Sequence, residues 1–419
     1  MRWPGRRTRR TARLAAGAAA VCAAAAACAA QPPAALTATG VRASGSCGTV
    51  TYRAPGGTAD LNQLPASVRA GYNGYYQPVD TSVYARFKPT AKAPYTIGYS
   101  DSFSANSWRG EALAELRTDA AADAKDGLVA DLQTADSNLD NSLQIQQITS
   151  MIDEHVDAII AIPNSPTAFD GVIKQAYEAG IPFLTLDAHV DSPYAINIDT
   201  NYFLTGELVA SGTARLIGGK GSVVIVDGID GSPSSAALHS GYQAVLDECP
   251  DISVAGSVEG DWSEADAKSV MLQYLATHPE PVSAVIGGGG ETTGIVQALQ
   301  QTGRSLVPIG DANPDEGSLV SAKAQLPGEY VASTDPPAQS MDAALRVAIA
   351  VLEGQGPKYS TIVADPPEIT SKTALSSWIQ QGWSAASAAA APAPPGLPWL
   401  PASEMNDFFT RPKALPALP

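Results

Sequence analysis

Between about residues 94 and 380, short β-branched runs alternate with longer stretches of helical spacing, and this alternation constrains the fold most strongly. The runs at residues 158–162, 181–186 and 223–226 are mostly apolar, as in parallel strands that are buried on both faces. A helical stretch follows each run, and one such stretch begins after Asp140, a residue type suited to capping a helix. About nine strands can be counted, more than one six-stranded unit holds. The pattern predicts an α/β chain with two doubly wound, Rossmann-like lobes.

The first 27 residues have the composition of an export signal. Six arginines and no acidic residue precede an apolar stretch at residues 14–27. This stretch is too short to span a bilayer as a helix. Residues 1–27 are therefore predicted to be a signal peptide, and the chain to be exported to the cell envelope. The motif Ala25-Ala26-Ala27-Cys28 resembles a lipobox and predicts a lipid-anchored Cys28. Cleavage near Ala30 without lipidation is the alternative.

The chain has four cysteines. Cys22 would leave with the signal peptide and Cys28 would carry the lipid, which leaves Cys47 and Cys249. An even pair in an oxidising compartment predicts a disulfide, which would tie the N-terminal extension to the second lobe. Two unpaired thiols are the alternative.

The charge of the chain excludes one class of partner. Lys and Arg number 26 and Asp and Glu 42, a net charge of −16, and without residues 1–27 the balance is 20 − 42 = −22. A field of this sign repels phosphate backbones, so nucleic acid is not expected as a partner. Hydrophobic residues make up 45% of the chain, which excludes bulk disorder.

Two flanking regions lack the strand–helix alternation. Residues 28–93, the N-terminal extension, are rich in Pro, Gly and Tyr, and we expect them to fold against the main body. Residues 381–419 are dominated by Ala and Pro, which predicts a polyproline-like tail or tether. Trp399, Phe408 and Phe409 in this tail are candidates for docking.

An ordered series of short motifs runs through the main body. It comprises residues 95–100 (YTIGYS), 106–109 (NSWR), 157–160 (DAII), 179–182 (AGIP), 184–187 (LTLD), 241–244 (GYQA), 260–262 (GDW), 284–286 (AVI), 309–311 (IGD) and 351–354 (VLEG). The series resembles the ribose- and galactofuranose-binding group of sugar-binding proteins of bacterial ABC importers, over about residues 94–375. The resemblance implies a periplasmic binding protein type I fold. Its lobes would comprise residues 94–199 plus 336–363 and residues 200–335 plus 364–380, joined by three crossovers that form a hinge.

The resemblance also implies a ligand site between the lobes, at the carboxyl ends of the strands. Aromatic faces suit a sugar ring, and charged or planar groups suit paired hydroxyls. The candidate residues are Ser100, Asp101, Asn106, Trp108, Arg109, Asp187, His189, Trp262, Glu291, Asp311 and Asp335. Trp108 and Trp262 are predicted to sandwich the ligand while Arg109, Asp187 and Asp311 bind its hydroxyls. A helix cap is the alternative role for each aspartate, and a core position for Trp262.

The sequence departs from the family pattern at two arginines. Relatives place an Arg directly after the residue that corresponds to Asp187, where this chain has Ala188-His189. They have a second Arg at the position of Ala236. These changes leave the sugar specificity open. His189 is predicted to replace one lost donor, and an exposed loop histidine is the alternative.

Other functional motifs are incomplete. The glycine-rich residues 287–294 lack the Gly-Lys-Ser/Thr ending of a phosphate loop and the spacing of a dinucleotide fingerprint, although their backbone N–H groups could hold a ligand group. The four histidines are widely spaced, and neither H-E-x-x-H nor G-x-S-x-G occurs. No catalytic residue, metal or cofactor is therefore predicted.

These observations predict an extracytoplasmic, monomeric solute-binding protein. It would capture a sugar or sugar-like polyol in the cleft and deliver it to an ABC permease at the membrane. The alternatives are delivery to a sensory membrane receptor and, from a different class, a cleft hydrolase acting on carbohydrates.

Overall fold

The computed structural model describes residues 46–104, 106–364, 367–394, 397 and 399–414. The predicted signal peptide and Cys28 lie outside the described residues. No helix in these ranges combines the length and the apolarity needed to cross a membrane.

The first lobe is built on a sheet of six parallel strands, in the spatial order β11-β5-β4-β3-β1-β2. The strands are β1 (Tyr95–Asp101), β2 (Val129–Asp136), β3 (Ala158–Ile162), β4 (Phe183–Leu186), β5 (Ala195–Thr200) and β11 (Thr361–Ala364). β3 is buried at every position, as expected for a parallel strand covered on both faces of its sheet. Asp101 at the end of β1 is paired in register with Ile162 of β3 and Asp136 of β2.

The second lobe repeats this plan in the order β12-β10-β9-β8-β6-β7, with only the β10–β12 pair antiparallel. Its strands are β6 (Gly221–Asp227), β7 (Ile252–Glu259), β8 (Ala284–Gly287), β9 (Ile309–Asp311), β10 (Val331–Ser333) and β12 (Glu368–Ile369). The described residues thus contain twelve strands, more than the nine predicted. The short strands β9, β10 and β12 have two or three residues each, too few for a periodic signal.

The described residues contain twelve α-helices, and most of them pack on the faces of the two sheets. They are α1 (Ala66–Ala70), α2 (Ser107–Lys125), α3 (Asn141–Asp153), α4 (Asp170–Glu178), α5 (Tyr202–Leu216), α6 (Pro233–Leu246), α7 (Glu264–Thr277), α8 (Thr292–Gln301), α9 (Glu316–Gln325), α10 (Pro337–Leu352), α11 (Lys372–Trp378) and α12 (Ala402–Met405). The Asp140 carboxylate accepts hydrogen bonds from the first backbone N–H groups of α3 at 2.8 and 3.0 Å, the predicted cap. The chain passes between the sheets three times, after β5, β10 and β11.

The N-terminal extension is attached to both lobes. A disulfide with an S–S distance of 2.05 Å joins Cys47 to Cys249, which follows α6 in the second lobe. Tyr72 and Tyr84 are buried in the core of the first lobe, and the Tyr72 hydroxyl donates to the carbonyl oxygen of Thr361 in β11 at 2.7 Å. The extension therefore packs on the first lobe through its tyrosines, although its residues show no strand or helix periodicity.

The C-terminal tail also packs on the main body, and this corrects the expectation of a tether. Trp399, Phe408 and Phe409 are almost completely buried in the core of the first lobe. Lys358 donates its backbone N–H to the carbonyl oxygen of Phe408 at 2.7 Å. Three aromatic side chains thus anchor a segment whose Ala and Pro content alone predicts an extended, solvated chain.

Candidate functional site

A cavity of about 660 Å³ lies between the carboxyl ends of the two sheets, with walls from both lobes. Five of the predicted residues line it: Asn106, Trp108, Arg109, Asp187 and Trp262. Asn106 is the N-cap of α2, and Trp108 and Arg109 lie in its first turn, after β1. Asp187 follows β4 and Trp262 follows β7. Loops at the carboxyl ends of parallel strands are where sheets of this kind form their ligand sites.

Arg109 is held by an ion pair with Asp101, the last residue of β1. Its Nη1 donates to Oδ1 of Asp101, while the Tyr99 hydroxyl donates to Oδ2 at 2.7 Å. The Asn106 side chain caps α2 by accepting from the backbone N–H of Arg109 at 2.9 Å. Asp101 therefore positions the guanidinium, whose other N–H groups are donors suited to hydroxyl oxygens.

Trp108 is fixed by its ring nitrogen. The indole N–H donates to the backbone carbonyl oxygen of Asp335 at 2.7 Å, and Asp335 lies on the crossing between β10 and α10. The guanidinium carbon of Arg109 is 5.9 Å from the ring centroid. With its N–H group already bonded, the indole can offer a ligand only its flat apolar face.

Asp187, Asp199 and Asp335 form a buried group at the crossings between the lobes, the hinge carboxyl cluster. Tyr202 donates to Asp335 and Tyr75 donates to Asp199, both at 2.6 Å. Each acid keeps one oxygen that accepts no hydrogen bond from an N–H or hydroxyl donor among the described residues, and the carboxyls of Asp187 and Asp335 interact with each other. Burial raises the pKa of Asp335 to about 6 and that of Asp199 to about 7, and burial with the two neighbouring charges raises the pKa of Asp187 well above its usual value. The cluster therefore binds protons more tightly than free carboxyls do, and a protonated Asp187 can both donate to a ligand and accept from it.

The wall from the second lobe is made of two loops that are braced from behind. Asp261 and Trp262 both have left-handed backbone, with φ of 53° and 54°. The buried Glu291 carboxylate accepts from the backbone N–H of Trp262 at 3.2 Å and from that of Gly288 at 2.8 Å. A Cβ atom on Gly228 would overlap the indole of Trp262, so this glycine lets the ring lie flat against the backbone.

Asp311 is also behind the wall. Its carboxylate accepts from the Thr292 hydroxyl at 2.6 Å and from the backbone N–H of Asn313 at 3.1 Å, and burial raises its pKa to about 6. Asn313, not Asp311, lines the cavity. The backbone N–H of Gly290 donates to the Asn313 carbonyl at 3.0 Å and that of Gly288 to Glu291, so these two donors of the glycine loop are already engaged.

Six predicted ligand residues do not line the cavity: Ser100, Asp101, His189, Glu291, Asp311 and Asp335. Ser100 is buried within β1. His189 lies 2.8 Å from the Tyr75 hydroxyl and packs edge-on against the rings of Tyr75 and Tyr76, where burial lowers its pKa to about 4. It therefore belongs to the contact with the N-terminal extension and does not replace a lost arginine.

Sequence reasoning missed several residues of the cavity wall: Phe103, Tyr202, Ser234, Asn313, Asp315, Ala388 and Ala390. Asn313 and Asp315 stand two and four residues after Asp311, and could have been found by extending the search along the outgoing loop. The two alanines come from the C-terminal tail, and no sequence signal connects them to the cleft.

The cavity wall is acidic. Asp187, Asp261, Glu264, Asp266 and Asp315 line it, and Arg109 is the only base among the described residues that do so. Since Asp101 neutralises Arg109, the wall has no spare positive charge for an anion. Hydroxyl-rich uncharged molecules match this surface better.

Comparison with known proteins identifies the family of this chain. The family described as periplasmic binding protein domain matches residues 97–356, more than half of the chain. A xylitol-binding protein of Mycolicibacterium smegmatis is 28% identical over 233 residues, which cover 55% of this chain and 66% of that protein, slightly less than two thirds. A galactofuranose-binding protein of Escherichia coli is 26% identical over 253 residues, which cover 58% of this chain and 77% of that protein.

The fold is similar to solved structures as well. An ABC transporter solute binding protein from Thermobispora bispora superposes with a TM-score of 0.62 at 28% identity, covering 68% of this chain and 87% of that one. The family match and the two-lobed architecture agree over the same residues. The chain belongs to the periplasmic binding protein domain family.

Proposed function

We propose that this protein is an extracytoplasmic solute-binding protein that captures a sugar or sugar-like polyol between its lobes for an ABC importer. One observation supports it above all: Trp108 of the first lobe and Trp262 of the second line the same cavity. Two flat apolar faces from different lobes suit a ring or a carbon chain whose hydroxyls point to the sides. A ligand held by both lobes favours the closed arrangement over the open one, which is how a permease can sense loading.

The polar groups of the cavity suit hydroxyls. Arg109 offers donors, the protonated Asp187 can donate and accept, and the Asn313 side chain can do both. Hydrogen bonds of neutral hydroxyls to charged partners contribute about 1.5–3 kcal/mol each. The xylitol-binding and galactofuranose-binding relatives point to the same class of ligand for this chain.

A thermal-shift screen tests the proposal directly. The panel should contain pentitols, hexitols, aldopentoses, furanosides and inositols, with a uronic acid and an amino acid as controls of other charge. A compound at 100 times its dissociation constant adds about 2.7 kcal/mol to the free energy of unfolding, a readily measured shift. Stabilisation by the uronic acid alone, or by no polyol or sugar, would contradict the proposal.

The best panel member should then be titrated calorimetrically into Trp262→Ala and Asp187→Ala. Both variants should bind at least tenfold more weakly, since each loses a wall contact worth about 1.4 kcal/mol or more. Asp153→Ala is the control, because Asp153 is an exposed residue at the end of α3. Unchanged affinity in both cavity variants would place the site elsewhere.

We also propose that the protein works as a monomer anchored through lipid on Cys28, beside its permease. Cys28→Ser should release the protein from the membrane fraction, whereas Cys22→Ser, within the predicted signal peptide, should leave it there. Membrane retention of Cys28→Ser would refute the anchor without affecting the ligand proposal.

A further inference from the structure

The C-terminal tail crosses the cleft that the family domain forms. The segment of residues 384–393, here called the strap, lies outside residues 97–356 that match the family. It follows α11, whose Leu375 and Trp378 are buried in the core of the second lobe. It precedes Trp399, which is buried in the core of the first lobe. A chain anchored in both lobes at its two ends has to pass from one to the other.

On the second lobe the strap is attached at the start of α9. The backbone N–H groups of Glu316 and Gly317 donate to the carbonyl oxygens of Ala389 and Ser387, both at 3.0 Å. The Ser387 hydroxyl donates to the Glu316 carboxylate at 2.6 Å. The first N–H groups of a helix have no partner within the helix, so the strap supplies acceptors that α9 lacks.

On the first lobe, one hydrogen bond near the cavity attaches the strap among the residues that the structure describes. The backbone N–H of Ala390 donates to Oε1 of Glu111 at 2.8 Å, on α2 one turn beyond Trp108. Ala388 and Ala390 line the cavity between these two attachments. The strap therefore forms a part of the cavity wall that neither lobe provides.

We propose that the strap is the outer wall of the binding cavity and a gate for it. It stays with the second lobe, where it has several hydrogen bonds, and parts from the first lobe at Glu111 when the cleft opens. Small side chains at positions 388 and 390 leave room for the ligand beneath it. This inference rests on the proposed function for the nature of the ligand, but the position of the strap can be tested without one.

Gly317 gives a clean way to displace the strap. A Cβ atom on this residue would overlap the carbonyl oxygen of Ser387 and lie 3.1 Å from that of Ala385, and only strap atoms are among its nearest contacts. Gly317 is inside α9, where alanine is the better helix former. Gly317→Ala should therefore undock the strap and leave the helix intact. The matched control is Gly171→Ala in α4, where an added Cβ meets nothing within 4 Å.

The test measures access to the cavity with a small neutral reagent. Ser234 lines the cavity and is buried, and Ser234→Cys in a Cys22→Ser, Cys28→Ser background leaves one free thiol beside the Cys47–Cys249 disulfide. Adding Gly317→Ala should raise the rate of alkylation by iodoacetamide at least fivefold, and adding Gly171→Ala should change it less than twofold. Hydrogen exchange of the backbone amides at positions 316 and 317 should accelerate in the first variant only.

An unchanged alkylation rate with accelerated amide exchange would overturn the gate. Unchanged amide exchange would overturn the docked strap itself, since the docked segment has no room for the added methyl group. Neither result depends on a sugar, so failure here is distinguishable from failure of the thermal-shift screen.

Discussion

Asp187 in the first lobe and Asp311 in the second have the same sequence context, an aspartate at the carboxyl end of a buried parallel strand, yet only one lines the cavity. Asp187 has a left-handed backbone, with φ of 49°, and its side chain lies at the cavity wall. Asp311 is the last residue of β9, and its carboxylate is bonded to Thr292 and to the backbone of Asn313. A position at the end of a strand places an aspartate near the cleft. The conformation and hydrogen bonds of the loop that follows determine whether its side chain lines the cavity.

The difference extends to the two walls. The first lobe presents side chains, with Trp108 and Arg109 fixed by Asp335 and Asp101. The second lobe presents loops whose backbone N–H groups donate to buried carboxylates. Trp262 lies on one of these loops. We therefore expect variants of the second wall's acids to act mainly on stability, and variants of the first wall to act mainly on affinity.

The largest expected effect belongs to Glu291. Glu291→Ala leaves the buried N–H groups of Gly288 and Trp262 without their acceptor, and each unpaired donor costs about 1–3 kcal/mol. The free energy of unfolding in urea should fall by about 3–5 kcal/mol. Glu154→Ala, at an exposed position after α3, is the control and should change it by less than about 0.5 kcal/mol. A loss below about 1 kcal/mol for Glu291→Ala would show that the loops do not depend on this brace.

Stability should fall as the pH rises from about 4 to about 7. Burial raises the pKa of Asp199 and Asp315 to about 7, so the folded protein holds protons that the unfolded chain has already released. Stability from these groups is thus fully present below the unfolded carboxyl pKa of about 3.9 and is lost as pH rises toward the folded value. The lowered pKa of His189 acts in the opposite direction below about pH 6.5.

Urea unfolding between pH 4 and pH 8 measures this dependence. Asp199→Asn should flatten the decline by roughly 1–3 kcal/mol, because it removes one raised carboxyl. His189→Gln should steepen it, since the opposing group is gone. A parent protein whose stability increases over this range would contradict the raised pKa values of Asp199 and Asp315.

Much of the fold could be predicted because continuously apolar strands such as β3, followed by stretches of helical spacing, are recognisable from their residues alone. The paths of the two flanks could not, since the docking of Tyr72 and Trp399 depends on contacts with residues 289 and 199 positions away. At the site, residue type and strand position predicted Trp108, Arg109, Asp187 and Trp262, and all four line the cavity. Those signals do not distinguish a side chain that lines the cavity from one that braces its wall, and the predicted residues Glu291 and Asp311 are of the second kind.

The pair Asp187→Ala and Asp311→Asn compares the two lobes directly. Asp187→Ala should weaken binding of the best panel compound at least tenfold, about 1.4 kcal/mol, because it removes both a donor and an acceptor from the cavity wall, with unchanged or higher stability because it relieves the crowded carboxyls. Asp311→Asn should lower stability by about 1–3 kcal/mol, since an amide cannot accept from both Thr292 and Asn313 on equal terms, and should change affinity less than threefold. Calorimetry and thermal unfolding of both variants decide the point. Equal losses of affinity would mean that the two aspartates have the same role.

The smallest expected effect separates capping from binding at Asn106. Asn106 and Asp140 both cap helices of the first lobe through their side chains, but only Asn106 lines the cavity. Replacing either by alanine should reduce the free energy of unfolding by about 1 kcal/mol, the usual loss of a cap. Only Asn106→Ala should also weaken binding of the panel compound, because it loosens the start of α2 on which Trp108 and Arg109 stand. Asn106→Asp keeps the cap and should restore stability, so any affinity still missing from that variant measures a direct contact of the Asn106 amide with the ligand.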